Sequence, residues 1–176
     1  MKLWIQFALV PLALLLSACE AGPFDGSQAH GVLQSKPMEL DGEQVVITPE
    51  QITCGEMKEL WTVDQVGSSG AIGRLSAAAR KLQFSDDIRM GDPAFRNPYV
   101  QVKGTFDVEV KSVAELIDID PQTKEIEAIM GVKINHPCFT SPLPLMGVRH
   151  GVFSQTTNPR FLFKLRNGWT VEKILH

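Results

Sequence analysis

Val100-Gln101-Val102-Lys103-Gly104-Thr105-Phe106-Asp107-Val108-Glu109-Val110 sets apolar against polar side chains at every second position. Alternate side chains of a strand point to opposite faces, so this stretch predicts a strand with one buried and one solvated face, as in an antiparallel sheet. Gly104 falls on the apolar side and predicts a bend or a close approach by another segment. A second run, Ile126, Ala128, Met130, Val132 and Ile134, alternates less cleanly with Glu125, Glu127, Ile129, Gly131 and Lys133. With Asp118-Ile119-Asp120-Pro121-Gln122-Thr123 as the turn between them, the two runs are expected to be adjacent antiparallel strands.

Toward the C-terminus, Asn167-Gly168 signals a hairpin, and the side-chain pattern selects its loop length. A two-residue loop would pair Arg166 with Trp169 and Lys164 with Val171, mixing the faces. A three-residue loop, Arg166 to Gly168 with Gly168 in the left-handed conformation, pairs Leu165 with Trp169 and Phe163 with Val171. That register gathers Phe161, Phe163, Leu165, Trp169 and Val171 on one apolar face, so burial selects the bulged loop.

Upstream, the pattern turns helical. Thr48-Pro49-Glu50-Gln51 supplies a cap, a proline at the first helical position and glutamine three residues after the cap. Cys54, Met57 and Trp61 then share a face, with Gly55 weakening the helix by about 1 kcal/mol. After Gly67-Ser68-Ser69-Gly70, the residues Ile72, Leu75, Ala78, Ala79 and Leu82 recur at spacings of three and four and predict an amphipathic helix. Asp41-Gly42, between Met38-Glu39-Leu40 and Val45-Val46-Ile47, reads as a turn joining two short extended segments. Helices early and strands late give an α+β fold, with helices packed on one face of a curved antiparallel β-sheet and a C-terminal β-hairpin.

The 176-residue chain has 44% hydrophobic and 21% charged residues, which excludes collagen, coiled coil and disorder. Its first 18 residues are the exception: after Lys2, an apolar stretch runs from Leu3 to Leu16, shorter than the roughly 20 residues that span a bilayer as a helix. It reads as a signal peptide, residues 1–18. Removing it with Lys2 leaves 16 basic against 20 acidic side chains, a balance that provides no footprint for nucleic acid.

Leu16-Ser17-Ala18-Cys19 resembles the lipobox of bacterial lipoproteins. The resemblance implies cleavage before Cys19 and acylation of that residue, so the lipid bilayer is the first expected partner; several acyl chains at about 0.8 kcal/mol per methylene make a durable anchor. In enterobacterial lipoproteins an aspartate after the cysteine resembles an inner-membrane retention signal. Glu20 stands there instead, which for a Gram-negative host implies the periplasmic side of the outer membrane. Residues 19–31, rich in turn-formers, are expected to be a flexible tether, and 32–176 a single globular domain.

With Cys19 acylated, Cys54 and Cys138 remain in an oxidising compartment and are expected to form a disulfide. Closing a loop of about 85 residues removes unfolded-state entropy worth about 4.5 kcal/mol. A thiolate or metal site using Cys54, Cys138 and His136 is the rival reading, without the spacing of a zinc signature. Of the four histidines, His30 falls in the tether and His176 at the chain end, where solvated side chains are expected; His136 and His150 are the candidate polar catalysts, and Arg149-His150 a candidate partner or anion contact. Gly67-Ser68-Ser69-Gly70-Ala71-Ile72-Gly73-Arg74 reads as a connector rather than a phosphate loop, and Asp86-Asp87 with Asp92 as solvated turn residues rather than a calcium loop. Neither a metal nor a cofactor is expected.

The ending Asn-Gly-Trp-x-Val-x-x-Ile resembles the last hairpin of cystatin-like and NTF2-like domains, which implies a cone-shaped domain with a cavity or an exposed sheet face. Such folds host enzymes and binding modules alike. The expected function is a non-enzymatic, membrane-anchored binding or assembly module for another envelope protein or cell-wall component. The alternative is a small-ligand carrier or hydrolase with a pocket between helices and sheet. Cys19→Ser is expected to move the protein from the membrane to the soluble fraction or to leave it unprocessed; a processed variant that still sediments with membranes refutes the anchor.

Overall fold

The run from Val100 to Val110 does bury every second residue: Val100, Val102, Phe106, Val108 and Val110 are at most 5% exposed. The computed structural model, which describes residues 23–65, 71–90 and 96–176, nonetheless divides this run between two sheets. Strand β5 (Tyr99–Phe106) ends before Asp107, and β6 (Val108–Asp120) begins after it. The inward face continues through the break while the hydrogen-bonding partner changes. Periodicity reports which way a side chain points and nothing about its neighbouring strand.

In the first sheet β5 is flanked by β1 (Met38–Val46) and β4 (Ile88–Met90), and β3 (Ala71–Leu75) and β2 (Trp61–Gln65) complete the order β1-β5-β4-β3-β2. In the second, β6 forms a hairpin with β7 (Thr123–Val132), with Val108 opposite Val132 and Asp120 opposite Thr123. The expected adjacency of these two runs therefore holds from Val108 onward. Strands β11 (Arg160–Leu165) and β12 (Trp169–Leu175) extend the second sheet to the order β12-β11-β7-β6, and β8 (Leu143–Pro144) pairs with β7. Val45 of β1 bridges Leu145, just past β8, so the pairing runs from β5 through β1, β8 and β7 and returns to β6. A short ribbon, β9 (Gly147–Arg149) with β10 (Val152–Ser154), stands apart. The described pairings are all antiparallel.

The C-terminal hairpin has the expected register. Leu165 faces Trp169, Phe163 faces Val171 and Gly168 has φ +122°. An irregularity after Leu162 sets Leu162 opposite Lys173 and Phe161 opposite Ile174, so Ile174 joins the apolar face while Lys173 stays exposed. Phe161 and Phe163 are fully buried, each worth about 1.5–3 kcal/mol.

Helix α2 (Pro49–Met57) carries the anticipated capping box: the Thr48 hydroxyl accepts from the Gln51 amide, and the Gln51 side chain accepts from the Thr48 amide. The Thr48 side chain also holds the Glu50 carboxylate below its ordinary pKa. The expected common face of Cys54, Met57 and Trp61 does not form. Met57 is 73% exposed, and Trp61 opens β2 with its indole folded back over Gly55. Its Nε1 donates to the Ile52 carbonyl at 3.0 Å.

Three further expectations are corrected. The helix expected from Ile72 to Leu82 splits: Ile72 to Leu75 belong to β3, paired on both sides, and α3 covers only Ala77–Lys81 behind a Ser76 cap. Helical spacing of a few apolar residues yields to pairing from distant segments, and Gly73 is a weak helix former that lets Ile88 pack closely. The hairpin at Asp41-Gly42 is instead a bulge within one strand, with Gly42 at φ +94°. The tether expected over 19–31 is folded from Phe24 onward: Phe24 is buried, and α1 (Gly26–Gln34) buries Ala29 and Leu33. Its start was legible, since Asp25 caps the amide of Gln28, but Gly26 and Gly31 hid the helix. The leader, the Gly67–Gly70 loop and Asp92 lie outside the described residues.

A Cβ built on Gly55 lies 1.9 Å from Trp61 Cζ2. Gly55→Ala, which would stabilise an isolated helix, is therefore expected to destabilise this protein by about 1–3 kcal/mol, read from the urea midpoint.

Candidate functional site

Cys54 on α2 and Cys138, beyond the end of β7, are joined in a disulfide with α-carbons 5.6 Å apart. The bond ties a helix of the first sheet's side to the connection leaving the second sheet, over the aromatic cluster of Trp61, Phe84 and Phe139. It engages both thiols, which removes them from thiolate or metal chemistry. His136 serves the same turn, its Nδ1 accepting from the Cys138 amide at 3.2 Å and its carbonyl from the Phe139 amide at 2.9 Å.

Arg149 and His150 occupy another place, the tip of the β9–β10 ribbon. His150 and Gly151 have φ +51° and +77°, the signature of a two-residue hairpin turn, and Arg149 faces Val152 across it. Both side chains are exposed. The structure therefore assigns His136 to a local turn and Arg149-His150 to a hairpin tip, and it does not gather the three into one site.

Of the two histidines expected to be solvated, His176 does keep an exposed side chain, whereas His30 is half-buried and bonded. His30 Nε2 donates to the Val110 carbonyl at 3.0 Å, beside Gln34, whose amide donates to the Val108 carbonyl and accepts from the Val110 amide, both at 2.8 Å. Together these side chains of α1 satisfy the outward backbone groups of the edge strand β6, as a neighbouring strand would. His176 Nε2 lies 3.4 Å from the Glu43 carboxylate, which is 4% exposed and also accepts from the Asp41 amide. That contact sets the chain end beside the bulge of β1, with the Phe153 ring alongside at 6.2 Å.

A largely apolar concavity lies between the end of α1, the start of β1 and strand β12. It has a volume of about 390 Å³, with Val32, Leu33, Pro37 and Met38 on one wall and Val171 and Ile174 on the other. Lys36, Glu39, Glu172 and Lys173 place both signs of charge at its rim, and no histidine lines it. Strand β12 pairs with β11 on one side and is the outer strand of its sheet. A smaller polar cleft of about 270 Å³ holds Asp86, Asp87 and Arg89 beside Tyr99. Its charges serve one another and the fold: Arg89 lies 3.6 Å from Asp86, and Arg74 lies 3.6 Å from Asp87, which also accepts from the Leu75 amide. No protein family, curated protein or solved structure matches this chain.

The groove was not legible in the sequence. Its residues come from segments separated by more than half the chain, and the sole local hint was the apolar face of the last hairpin. Replacing Cys54 and Cys138 by alanine together is expected to lower stability by about 2–5 kcal/mol in urea denaturation, with the fold retained by circular dichroism.

Proposed function

We propose that the protein is a lipid-anchored module of the cell envelope, held by acylated Cys19, and that the groove between α1, β1 and β12 receives a short apolar segment of another envelope protein. The observation that carries this reading is the groove itself: apolar walls with both signs of charge at the rim suit a peptide flanked by polar residues. The outer-membrane, periplasm-facing location follows from the lipobox resemblance and from Glu20. The finer fold reading, helices on one face of a curved sheet as in cystatin-like and NTF2-like domains, is supported by α1 touching both outer strands, β6 and β12, of the second sheet. A cell-wall component in place of a protein would use the same groove.

The second reading, a small-ligand carrier, draws on the groove's volume, which falls within the range of small-molecule sites. A hydrolase built on His136 or His150 draws no support from this groove, since neither residue lines it.

A photoreactive residue placed at Thr170, in the groove, is expected to cross-link one defined envelope protein in cells, whereas the same residue at exposed Met57 is not. Val32→Glu should abolish the adduct while lowering the stability read from urea denaturation by no more than about 3 kcal/mol, with the fold retained. Equal labelling from both positions refutes the groove as the docking surface. A small molecule retained in native mass spectrometry and lost in Val32→Glu would favour the carrier.

A further inference from the structure

Phe24 stacks on Trp169 at 4.3 Å between ring centroids and packs on Phe163 at 5.3 Å, so the folded body begins five residues after Cys19. Five residues span at most about 18 Å, whatever conformation they adopt. The direction in which the chain leaves the body is also fixed. Helix α1 runs antiparallel to β6: a Cβ on Gly26 would lie 3.8 Å from Val113, while Gln34 bonds the backbone at Val108 and Val110. The N-terminal end of α1 therefore points along β6 toward the β6–β7 turn. Trp169, under Phe24, directly follows the Arg166–Gly168 turn, and the Leu165 amide donates to the Gln122 carbonyl at 2.8 Å, which sets the two turns side by side.

We infer that this end of the second sheet, formed by Ile119 to Gln122 and Arg166 to Gly168, lies against the phospholipid headgroups, an inference that rests on the lipid-anchored reading. The surface suits that partner. Ile119 is 53% exposed, while Pro121, Gln122 and the Arg166–Gly168 loop are all solvent-facing. The nearby charges are largely matched: Lys124 lies 2.6 Å from Asp118, and Glu172 lies 2.9 Å from Lys164 and 3.4 Å from Arg166, so that with Asp120 these groups carry three charges of each sign. A nearly neutral end carrying an exposed aliphatic residue can approach a zwitterionic headgroup layer without large repulsion. One consequence follows for the groove. Its Val32–Glu39 wall begins near the far end of α1, about 9 Å of helix beyond Gly26, so its occupant must be presented close to the membrane rather than across the periplasm.

The test uses the acylated full chain with a fluorophore on Asn167→Cys, and in a second preparation on Gln122→Cys. Each is reconstituted in vesicles of phosphatidylethanolamine and phosphatidylglycerol containing a headgroup-nitroxide lipid. Both labels are expected to be quenched, and quenching is expected to be lost when a Gly/Ser spacer of about 20 residues, with a root-mean-square span of about 25 Å, is inserted between Gly22 and Pro23. The mass of the mature chain is read in parallel. Acylated protein whose labels are unquenched, or are quenched equally with the spacer, overturns the membrane-facing surface and leaves the anchor standing. A mature chain without acyl groups overturns the lipoprotein reading and this inference with it.

Discussion

Everything in this protein hangs on one extended run, Tyr99 to Asp120, interrupted only at Asp107. Because β5 belongs to one sheet and β6 to the other, the run is the covalent member the two sheets share. Its inward side chains, from Val100 to Val110, are buried without a break across the corner, so one apolar stripe serves both sheets. The corner is held from outside by the Lys133 amide, which donates to the Asp107 carbonyl at 2.8 Å. Were the strand straight and paired on one ladder throughout, the circuit of pairing through β1, β8 and β7 could not return to β6.

That arrangement creates edges, and edges need partners or covers. Helix α1 covers the first part of β6 with His30 and Gln34, while irregularities between Val110 and Ser112, Val113 and Glu115, and Asp118 and Asp120 disturb the remainder. Strand β12 is handled differently, by an irregular register and by Glu172, which pairs with Lys164 at 2.9 Å and with Arg166. The groove lies along β12 because α1 reaches across from β6, and its last turn with the following Ser35–Glu39 forms the opposing wall. The candidate site is thus a by-product of how the second sheet is capped. Just ahead of that helix, the packing of Phe24 on Phe163 and Trp169 shortens the link to the proposed anchor.

The disulfide and the Glu43–His176 pair act on other seams. Cys54–Cys138 holds α2 to the connection that leaves β7, over a cluster of three aromatic rings. Glu43 and His176 meet where the end of the second sheet reaches the bulge in the first. Each lies between parts that strand pairing alone leaves connected only through the β5–β6 run and the bridge at Val45.

What the sequence determined by itself was local. It contained the capping box at Thr48, the in-and-out alternation of Val100 to Val110, the bulged loop at Gly168 and the pairing of Cys54 with Cys138. Each depends on short-range chemistry or, for the cysteines, on the proposed acylation of Cys19, which leaves a single pairing of the other two. Tertiary structure decided the rest. Ile72 to Leu75 has helical spacing but becomes a strand, because β2 and β4 supply backbone partners on both sides that no local pattern encodes. Residues 24–31 read as part of a tether because turn-formers crowd them and no apolar periodicity shows; burial of Phe24, Ala29 and Leu33, with the hydrogen bonds from α1 to β6, provides stabilisation that exists only once the sheet is present. The groove and the exit direction of the N-terminal chain belong to this second kind, since both arise where segments far apart in sequence meet, and periodicity along a chain carries no information about which segments those are.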